Sequence, residues 1–266
     1  MGYRLEAIPA LRDNYVWCLH NTDNNGALVV DPGDARPVRD FMEARNLSLE
    51  VILLTHHHPD HSNGIAELLK SRAVPVYGPA DSPFKGVTHP LTEGDRLQWQ
   101  DLTFDVTAVP GHTQDHIAFS CVDAALDTPL CFCGDALFVC GCGRLFEGSP
   151  GQMRDSLSKL CRLPDATLMC GGHEYTLTNI AFALSVSPGN PSLRELEAQC
   201  QRLREAGEPT LPSSLASEKR LNPFLQWDDP SIAQAAADYG RRAGLTVNPD
   251  AADDVFTAIR HWKDHF

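Results

Sequence analysis

The chain has 266 residues, enough to bury a substantial core in one or two domains. Its 22 basic and 35 acidic residues give a formal net charge of −13, which argues against binding to nucleic acid or to an anionic membrane surface. We expect a cytoplasmic protein with no membrane partner, because no apolar run approaches roughly 18 residues, the first residues do not form a signal peptide, and nine cysteines lack a disulfide-framework spacing.

Apolar β-type runs alternate with helical stretches up to about residue 172. The apolar runs occupy residues 27–30, 51–54, 104–109, 130–133 and 167–170. Helical patterns cover residues 35–46, 62–71 and 151–163 and, later in the chain, residues 179–187, 192–206, 231–243 and 250–262. This order predicts an α/β fold followed by a helical segment. We place the domain boundary between residues 1–173 and residues 174–266.

The most informative segment is residues 55–61, which read Thr-His-His-His-Pro-Asp-His and directly follow an apolar run. Imidazole and carboxylate ligands together suit zinc, iron or manganese. Side chains just past a strand alternate in direction, so His56 and His58 are expected to point away from His57. We interpret His56, His58, Asp60 and His61 as metal ligands and His57 as a packing residue, with a solvated histidine-rich loop as the alternative. Four ligands are too many for one catalytic zinc, which favours two ions.

Three further ligand-type residues follow apolar runs, each close to a glycine. They are His112, Asp135 and His173. Glycine beside a ligand lets the backbone approach a crowded site. A lone histidine after a strand is more often structural, but the repeated pattern favours one site built from all of these side chains. Asp31 also follows an apolar run, and it either orients a ligand histidine or forms the turn before Pro32 and Gly33.

Four cysteines lie close together in the sequence, at positions 131, 133, 140 and 142. Such a cluster could bind a separate zinc ion or an iron–sulfur group. Its C-x-C spacing is tighter than the two to four intervening residues that structural zinc sites use. We therefore do not expect a cysteine metal site.

The combined motifs closely resemble those of the glyoxalase II (hydroxyacylglutathione hydrolase) family of the metallo-β-lactamase superfamily. The similarity includes residues 13–15, 30–34, 55–61, 110–113, 132–135, 141–144, 173–176, 222–225 and 260–266. The histidine-rich run defines only the superfamily, whereas Gly-Cys-Gly-Arg at 141–144 and Arg-x-x-Lys-Asp at 260–264 point to the glutathione thioesterase. The resemblance implies a metallo-β-lactamase αββα sandwich followed by a small C-terminal α-helical domain.

The resemblance also implies how the ligands are shared between two divalent metal ions. One ion would be held by His56, His58 and His112, and the other by Asp60, His61 and His173. Asp135 would bridge the two ions. The implied nucleophile is a metal-bridging hydroxide held by Asp60 and Asp135, and zinc is favoured over iron or manganese.

The activity implied by the resemblance is hydrolysis of S-(2-hydroxyacyl)glutathione, typically S-D-lactoylglutathione to D-lactate and glutathione, the second step of methylglyoxal detoxification. The implied substrate-binding residues are Arg144, Phe146, Tyr175, Arg260 and Lys263. Arg260 and Lys263 share a helix face, although a solvated helix end is the alternative interpretation. Phe146 stands where some relatives carry tyrosine, and Gln226 where many carry arginine. We expect a monomer.

Two other functions remain open from the sequence. A sulfur dioxygenase on the same fold uses a single iron, and the complete set Asp60, His61 and His173 argues against it. A non-catalytic metal-binding protein would bind metal without turnover. A thioesterase assay combined with metal analysis distinguishes all three.

Overall fold

A six-stranded sheet forms the first half of the chain. The structure is a computed structural model that describes residues 2–266. The strands, in spatial order, are β1 (Tyr3–Ala10), β2 (Asn14–Asn21), β3 (Gly26–Val30), β4 (Ser48–Leu53), β5 (Val76–Pro79) and β6 (His89–Leu91). Antiparallel pairing joins β1, β2 and β3, whereas β3 to β6 run parallel. The carboxyl ends of β3 and β4 therefore lie at the same edge of the sheet.

A second six-stranded sheet stacks against the first. Its members in chain order are β7 (Arg96–Trp99), β8 (Leu102–Ala108), β9 (Ile117–Cys121), β10 (Leu130–Gly134), β13 (Leu168–Gly171) and β14 (Ser213–Ser214). Only β10 and β13 are parallel. The strands β11 (Leu137–Phe138) and β12 (Gly141–Cys142) form a separate small hairpin, which lies between β10 and β13 in the chain. This hairpin directly follows the end of β10.

Nine helices are present in residues 2–266. They are α1 (Ala35–Ala44), α2 (Pro59–Ser62), α3 (Ile65–Ser71), α4 (Pro150–Leu160), α5 (Thr176–Val186), α6 (Pro191–Glu205), α7 (Leu215–Leu221), α8 (Pro230–Ala243) and α9 (Ala252–Asp264). Proline at the first position of α2, α4, α6 and α8 fits helix starts, where an N–H would lack an intrahelical partner anyway. No helix in this part of the chain combines the length and apolar character needed to cross a membrane.

Alternating side chains on the central strands divide the hydrophobic interior into three parts. Trp17 and Leu19 of β2 point into the core between the two sheets, where Phe119 and Phe132 meet them. The intervening residues of β2 face α1 and α3 instead. On the second sheet, the alternate residues of β10 pack under α4, α5, α8 and α9. The layers are therefore helix, sheet, sheet and helix, which confirms the predicted αββα sandwich followed by helices.

The C-terminal segment departs from the predicted pattern in two places. The short helix α7 was not predicted, because its seven residues carry too few apolar positions to show a helical period. The preceding pair Ser213–Ser214 forms β14 and pairs with β13, so this segment also supplies an edge strand to the second sheet. The seven predicted helices are present, with ends that differ by a few residues. The division at residue 173 remains a prediction.

Candidate metal centre

The candidate ligands lie at the ends of strands on one edge of the sandwich. His56 follows β4, and α2 carries Asp60 and His61 one turn later. From the second sheet, the ends of β8, β10 and β13 bring His112, Asp135 and His173 to the same place. Pro59 opens α2 directly after His58, so the chain turns sharply and returns its next side chains to the edge.

The side chains form two groups of potential ligand atoms. The first donor group is His56, His58 and His112, and the second donor group is Asp60, His61 and His173. Within each group the candidate atoms lie within 4.8 Å of one another. In the first group, His58 Nδ1 lies 3.0 Å from His112 Nε2. The structure thus brings together the residues of each of the two implied ligand sets, and their binding of one metal ion each stays a prediction.

Asp135 lies between the two donor groups. Its Oδ1 is 3.4 Å from His61 Nε2 in the second donor group. Its Oδ2 is 3.3 Å from His112 Nε2 in the first donor group and 3.3 Å from His173 Nε2 in the second. One buried carboxylate therefore contacts both groups, as a shared ligand must.

Several atoms of this cluster are buried without a hydrogen-bond partner in residues 2–266. They include His56 Nε2, His61 Nε2 and Asp135 Oδ1. A buried polar atom without a partner is costly, and metal ions bound in the two donor groups would satisfy these three atoms. The donor set, five imidazoles and two carboxylates, suits a divalent cation. The residues present thus fit the metal that the fold implies.

The electrostatics of the cluster also favour positive charge between the groups. Burial lowers the pKa of His56 and His112, so these rings are neutral and have a free lone pair. Burial opposes protonation of His61 and His173 as well, but Asp135, acting with Asp31 on His61 and with Asp60 on His173, outweighs it and raises the pKa of both rings, to about 10 for His173. A divalent ion would supply the positive charge that these carboxylates attract.

Carboxylates and a carbonyl oxygen outside the ligand set orient three of the rings. Asp31 Oδ2 lies 3.0 Å from His61 Nδ1, and its Oδ1 accepts a hydrogen bond from the Thr55 amide at 2.7 Å. Asp13 Oδ1 lies 2.8 Å from His173 Nδ1. His112 Nδ1 donates to the backbone oxygen of residue 144 at 2.7 Å. Such contacts fix which ring nitrogen faces the metal. Asp31 has this role and also lies in a turn, with a φ of 54°.

Sequence reasoning did not assign a role to Asp13 or to His116, which both contact residues of the ligand cluster. The Asp135 amide donates to His116 Nε2 at 3.0 Å, and the His116 ring stacks on His56. Burial lowers the pKa of His116 to about 3, so its nitrogen accepts this bond. The position of His116 four residues after His112 was the available signal. Asp13 lay in a quoted motif, but nothing in the sequence linked it to His173.

The His57 side chain points away from both donor groups. Its Nδ1 lies 2.8 Å from Asp115 Oδ1, and its Nε2 lies 3.5 Å from Glu147 Oε1. This geometry follows the alternation expected just past a strand. None of the candidate metal groups within residues 2–266 contains a cysteine. All nine thiols are free, and burial raises the pKa of those at 131, 133, 140 and 142.

A cavity of about 890 Å³ opens over the metal centre. All five residues that the resemblance implied for substrate binding line it: Arg144, Phe146, Tyr175, Arg260 and Lys263. Phe146 is 63% exposed, and its ring lies edge-on to the rings of His58 and His112. Tyr175 stacks on His173 with ring centroids 4.6 Å apart. The cavity therefore connects the candidate ligand rings with a surface formed by Arg144, Arg260 and Lys263, which we call the cationic wall.

The cationic wall is held by contacts within the protein. Arg260 is only 5% exposed, and its Nη1 donates to the Cys142 backbone oxygen at 3.1 Å. Its Nη2 donates to Asp264 Oδ1 at 2.8 Å. Lys263 Nζ donates to the Thr178 backbone oxygen at 3.3 Å. Arg144 is the most exposed of the three cations, with Asp264 3.6 Å from its Nε.

Comparisons with known proteins agree with this geometry. The metallo-beta-lactamase superfamily model matches residues 12–173, and the hydroxyacylglutathione hydrolase C-terminus model matches residues 174–266. Proteins named hydroxyacylglutathione hydrolase from Nitrosomonas europaea and Alkalilimnicola ehrlichii are 48% and 49% identical. Each alignment covers 97% of this chain, with 95% and 97% of the respective relatives.

Solved structures show the same architecture. The ETHE1 crystal structure from Myxococcus xanthus matches with a TM-score of 0.61 and 28% identity, covering 85% of this chain and 84% of that one. The di-iron-bound form of TTHA1623 matches with a TM-score of 0.58 and 26% identity, covering 84% of this chain and 100% of that one. On the evidence of both family models and the near full-length relatives, the chain belongs to the hydroxyacylglutathione hydrolase family of the metallo-beta-lactamase superfamily.

Proposed function

We propose that this protein hydrolyses S-(2-hydroxyacyl)glutathione thioesters, typically S-D-lactoylglutathione to D-lactate and glutathione, the second step of methylglyoxal detoxification. The names of its near full-length relatives support this assignment. The observation that carries it is a single cavity that exposes ligands of both donor groups and is lined by basic side chains, three of which form the cationic wall. Those cations are Arg144, Arg260 and Lys263.

We propose that each donor group holds one divalent ion and that Asp135 contributes to both sites. Two bound ions, with zinc favoured over iron or manganese, would acidify a water molecule held between Asp60 and Asp135 and supply hydroxide near neutral pH. Asp31 and Asp13 keep the Nε2 atoms of His61 and His173 directed into the centre. The chain thereby provides an oriented ligand set in which only His58 and Asp60 are partly exposed.

A thioester suits the groups around this centre. A thiol has a pKa near 8.5 and leaves as a thiolate, so it needs no acid beside the sulfur. Burial raises the pKa of the Tyr175 hydroxyl, which keeps it protonated and able to donate a hydrogen bond to bound substrate. Phe146 offers an apolar ring and no hydroxyl at the rim.

The cationic wall is proposed to bind the glutathione part. Glutathione is anionic at neutral pH, and a protein with net charge −13 repels it on average. Local cations must therefore capture it. Arg144 at the exposed rim and Lys263 on α9 are available for its carboxylates, while the more buried Arg260 supports the wall between them. These roles of Arg144, Lys263 and Arg260 in binding glutathione are predictions.

The alternative functions are less well supported. A mononuclear iron sulfur dioxygenase does not need the intact second donor group, whose Asp60, His61 and His173 are close together here. A non-catalytic metal protein does not explain a cationic cavity above the ligands. Zinc as the native metal, a monomeric chain and a cytoplasmic location stay predictions from the sequence.

A thioesterase assay tests the proposal. The metal-replete protein should remove the thioester absorbance of S-D-lactoylglutathione and release one thiol per acid formed. A D-lactoyl thioester of a short thiol, which lacks the glutathione peptide, serves as the matched substrate and should react far more slowly. No turnover by metal-replete protein would refute the function. Equal turnover of both substrates would leave a thioesterase without glutathione specificity.

A further inference from the structure

The hairpin β11–β12 lines one side of the site cavity, and it contacts residues at both ends of that cavity. Near the metal centre, the Phe138 ring packs edge-on against His173 and Tyr175, with centroids 5.9 and 5.3 Å apart. At the other end, the Cys142 backbone oxygen accepts the hydrogen bond from Arg260. A shift of this short segment would therefore move a metal-facing ring and the anchor of the cationic wall together.

Glu218 and Asn222 of the C-terminal segment hold the hairpin from behind, in addition to Asn179, whose Nδ2 donates to the Val139 backbone oxygen at 3.1 Å. The Cys140 amide donates to Glu218 Oε2 at 2.9 Å. Asn222 Nδ2 donates to the same Glu218 oxygen at 3.0 Å. That amide group also donates to the backbone oxygens of Phe138 at 3.2 Å and of residue 141 at 3.0 Å. Both ends of the turn are thus fixed to α7 and its C-terminal cap.

The turn needs such support because its backbone is strained. Cys140 has a φ of 53°, in the left-handed region that residues other than glycine seldom adopt. A conformation of this kind persists only where surrounding contacts enforce it. The bond from the Cys140 amide to Glu218 is made at the strained residue itself. Neither Glu218 nor Asn222 lines the cavity.

We propose that Glu218 is a positioning residue that, together with Asn222, holds residues 138–142 in the conformation that forms the substrate cavity. This inference rests on the proposed function for the identity of the substrate. It does not depend on that function for the conformation of the hairpin. An ionised carboxylate accepts N–H hydrogen bonds more strongly than a neutral carboxyl does, so the hold on the hairpin depends on the charge of Glu218.

The surroundings of Glu218 set the pH range of this dependence. Glu218 is 1% exposed, and burial raises its pKa to about 7, while hydrogen bonds from Ser213, the Cys140 amide and Asn222 oppose the rise. The titratable groups that face it are the thiols of Cys140 and Cys200. Burial raises the pKa of both thiols, so they are neutral when Glu218 titrates.

The test compares Glu218→Gln with Glu50→Gln as a matched control. Glu50 Oε2 also accepts two side-chain N–H bonds, from Trp99 at 2.8 Å and Gln100 at 2.9 Å, but none of these residues lines the site cavity. Amide hydrogen exchange of the Cys140 N–H at pH 8 is the first measurement. It should be about tenfold faster in Glu218→Gln than in wild type and unchanged in Glu50→Gln.

Steady-state kinetics provide the second measurement. At pH 8, Glu218→Gln should raise the KM for S-D-lactoylglutathione about tenfold, with kcat and metal content near wild type, because only cavity formation is weakened. Lowering the pH from 8 to 6 should raise the wild-type KM relative to that of the variant. The proposed function fails separately, if wild type does not hydrolyse the thioester at all.

Specific results would overturn the inference. Equal Cys140 exchange in wild type and Glu218→Gln would show that the carboxylate does not hold the hairpin. A KM increase of the same size in Glu50→Gln would show a general effect of losing a carboxylate that accepts two N–H bonds. If Glu218→Gln does not fold, amide hydrogen exchange of Cys140 in the wild-type protein, measured at two pH values, tests the proposal instead. After correction for the intrinsic rate, Cys140 must be less protected at pH 6 than at pH 8, and equal protection refutes the proposal.

Discussion

Asp264 Oδ1 accepts a hydrogen bond from Arg260 Nη2 at 2.8 Å and lies 3.6 Å from Arg144 Nε. One carboxylate therefore holds two of the three cations on the proposed glutathione-binding wall. Without it, two guanidinium groups would lie near each other beside a third cation, Lys263. The pairing stabilises the wall, and it leaves the exposed edge of Arg144 able to meet an anionic ligand.

Substitution of Arg260 and of Lys263 should have different consequences. Arg260→Ala removes a buried side chain that bonds to Cys142 and Asp264 and lies over the Phe224 ring. We expect it to lower the free energy of unfolding by about 2–3 kcal/mol and to raise KM. Lys263→Ala should raise KM about tenfold with a much smaller stability change. Urea unfolding and steady-state kinetics on both variants check this, and equal stability losses would contradict it.

Lys263 should also limit binding at alkaline pH. Burial, assisted by the charge of Arg260, lowers the pKa of Lys263 to about 8. The charged form binds an anion, so affinity for the glutathione thioester should fall as the pH rises through 8. The KM measured from pH 7 to 9 should rise in wild type. The same rise in Lys263→Gln, which cannot titrate, would assign it to another group.

The proposed ligands were readable from the sequence because each follows an apolar run and several adjoin glycine. His112, Asp135 and His173 belong to strands far apart in the chain. Their meeting at one edge depends on how two sheets stack, which single-strand patterns do not encode. The family resemblance supplied the pairing instead. Alternation past β4 sufficed for His57, because that rule is local.

The parts that the sequence did not reveal depend on long-range contacts. Asp13 meets His173 across 160 positions, and Glu218 reaches the Cys140 amide across 78. Neither carboxylate has a local pattern that separates it from ordinary surface acids. The strand β14 is similar, because two serines pair with β13 only after the C-terminal segment has folded back. Contacts of this kind follow from the tertiary packing.

Metal content should distinguish Asp135 from His57. The two donor groups predict about two ions per chain under metal-replete conditions. Asp135→Asn should weaken the binding of both ions, since Asp135 contacts both donor groups. His57→Ala should keep both, because its ring faces Asp115 and Glu147. Elemental analysis after dialysis is the measurement, and loss of only one ion from Asp135→Asn would refute the shared-ligand role.

Complete unfolding exposes Glu218 to water, whereas the proposed shift of the hairpin only removes its hydrogen bonds, so the two processes depend on pH in opposite directions. Glu218 should make the whole protein less stable as the pH rises. Its carboxyl stays protonated up to about pH 7 in the folded chain, whereas the ordinary value is 4.5. The unfolded chain therefore releases this proton first, and the stability present below pH 4.5 is lost progressively up to about pH 7. The loss amounts to about 3 kcal/mol. The unfolding free energy of Glu218→Gln, relative to wild type, should increase from pH 5 to pH 8 in urea titrations. A constant difference would mean that Glu218 does not titrate in this range.

The close approach of the backbone to the metal centre can be tested at Gly172. A Cβ atom there would lie 2.6 Å from Asp135 Oδ1 and 2.7 Å from His61 Cε1. Both neighbours belong to the ligand cluster and are packed on all sides, so neither can yield without moving a proposed ligand. Gly172→Ala should therefore reduce metal content and lower kcat/KM by at least about a hundredfold, in line with displacing a reacting group by an ångström.

Gly189 is the matched control, since a Cβ atom there meets nothing within 4 Å. Gly189→Ala should keep wild-type metal content and kinetics, which separates the crowding at Gly172 from any general effect of adding a methyl group. The contrast depends on the backbone just after β13 passing directly behind the Asp135 carboxylate. If Gly172→Ala retained both ions and normal turnover, the ligand cluster would be looser than these distances imply, and the rigid metal centre proposed here would have to be abandoned.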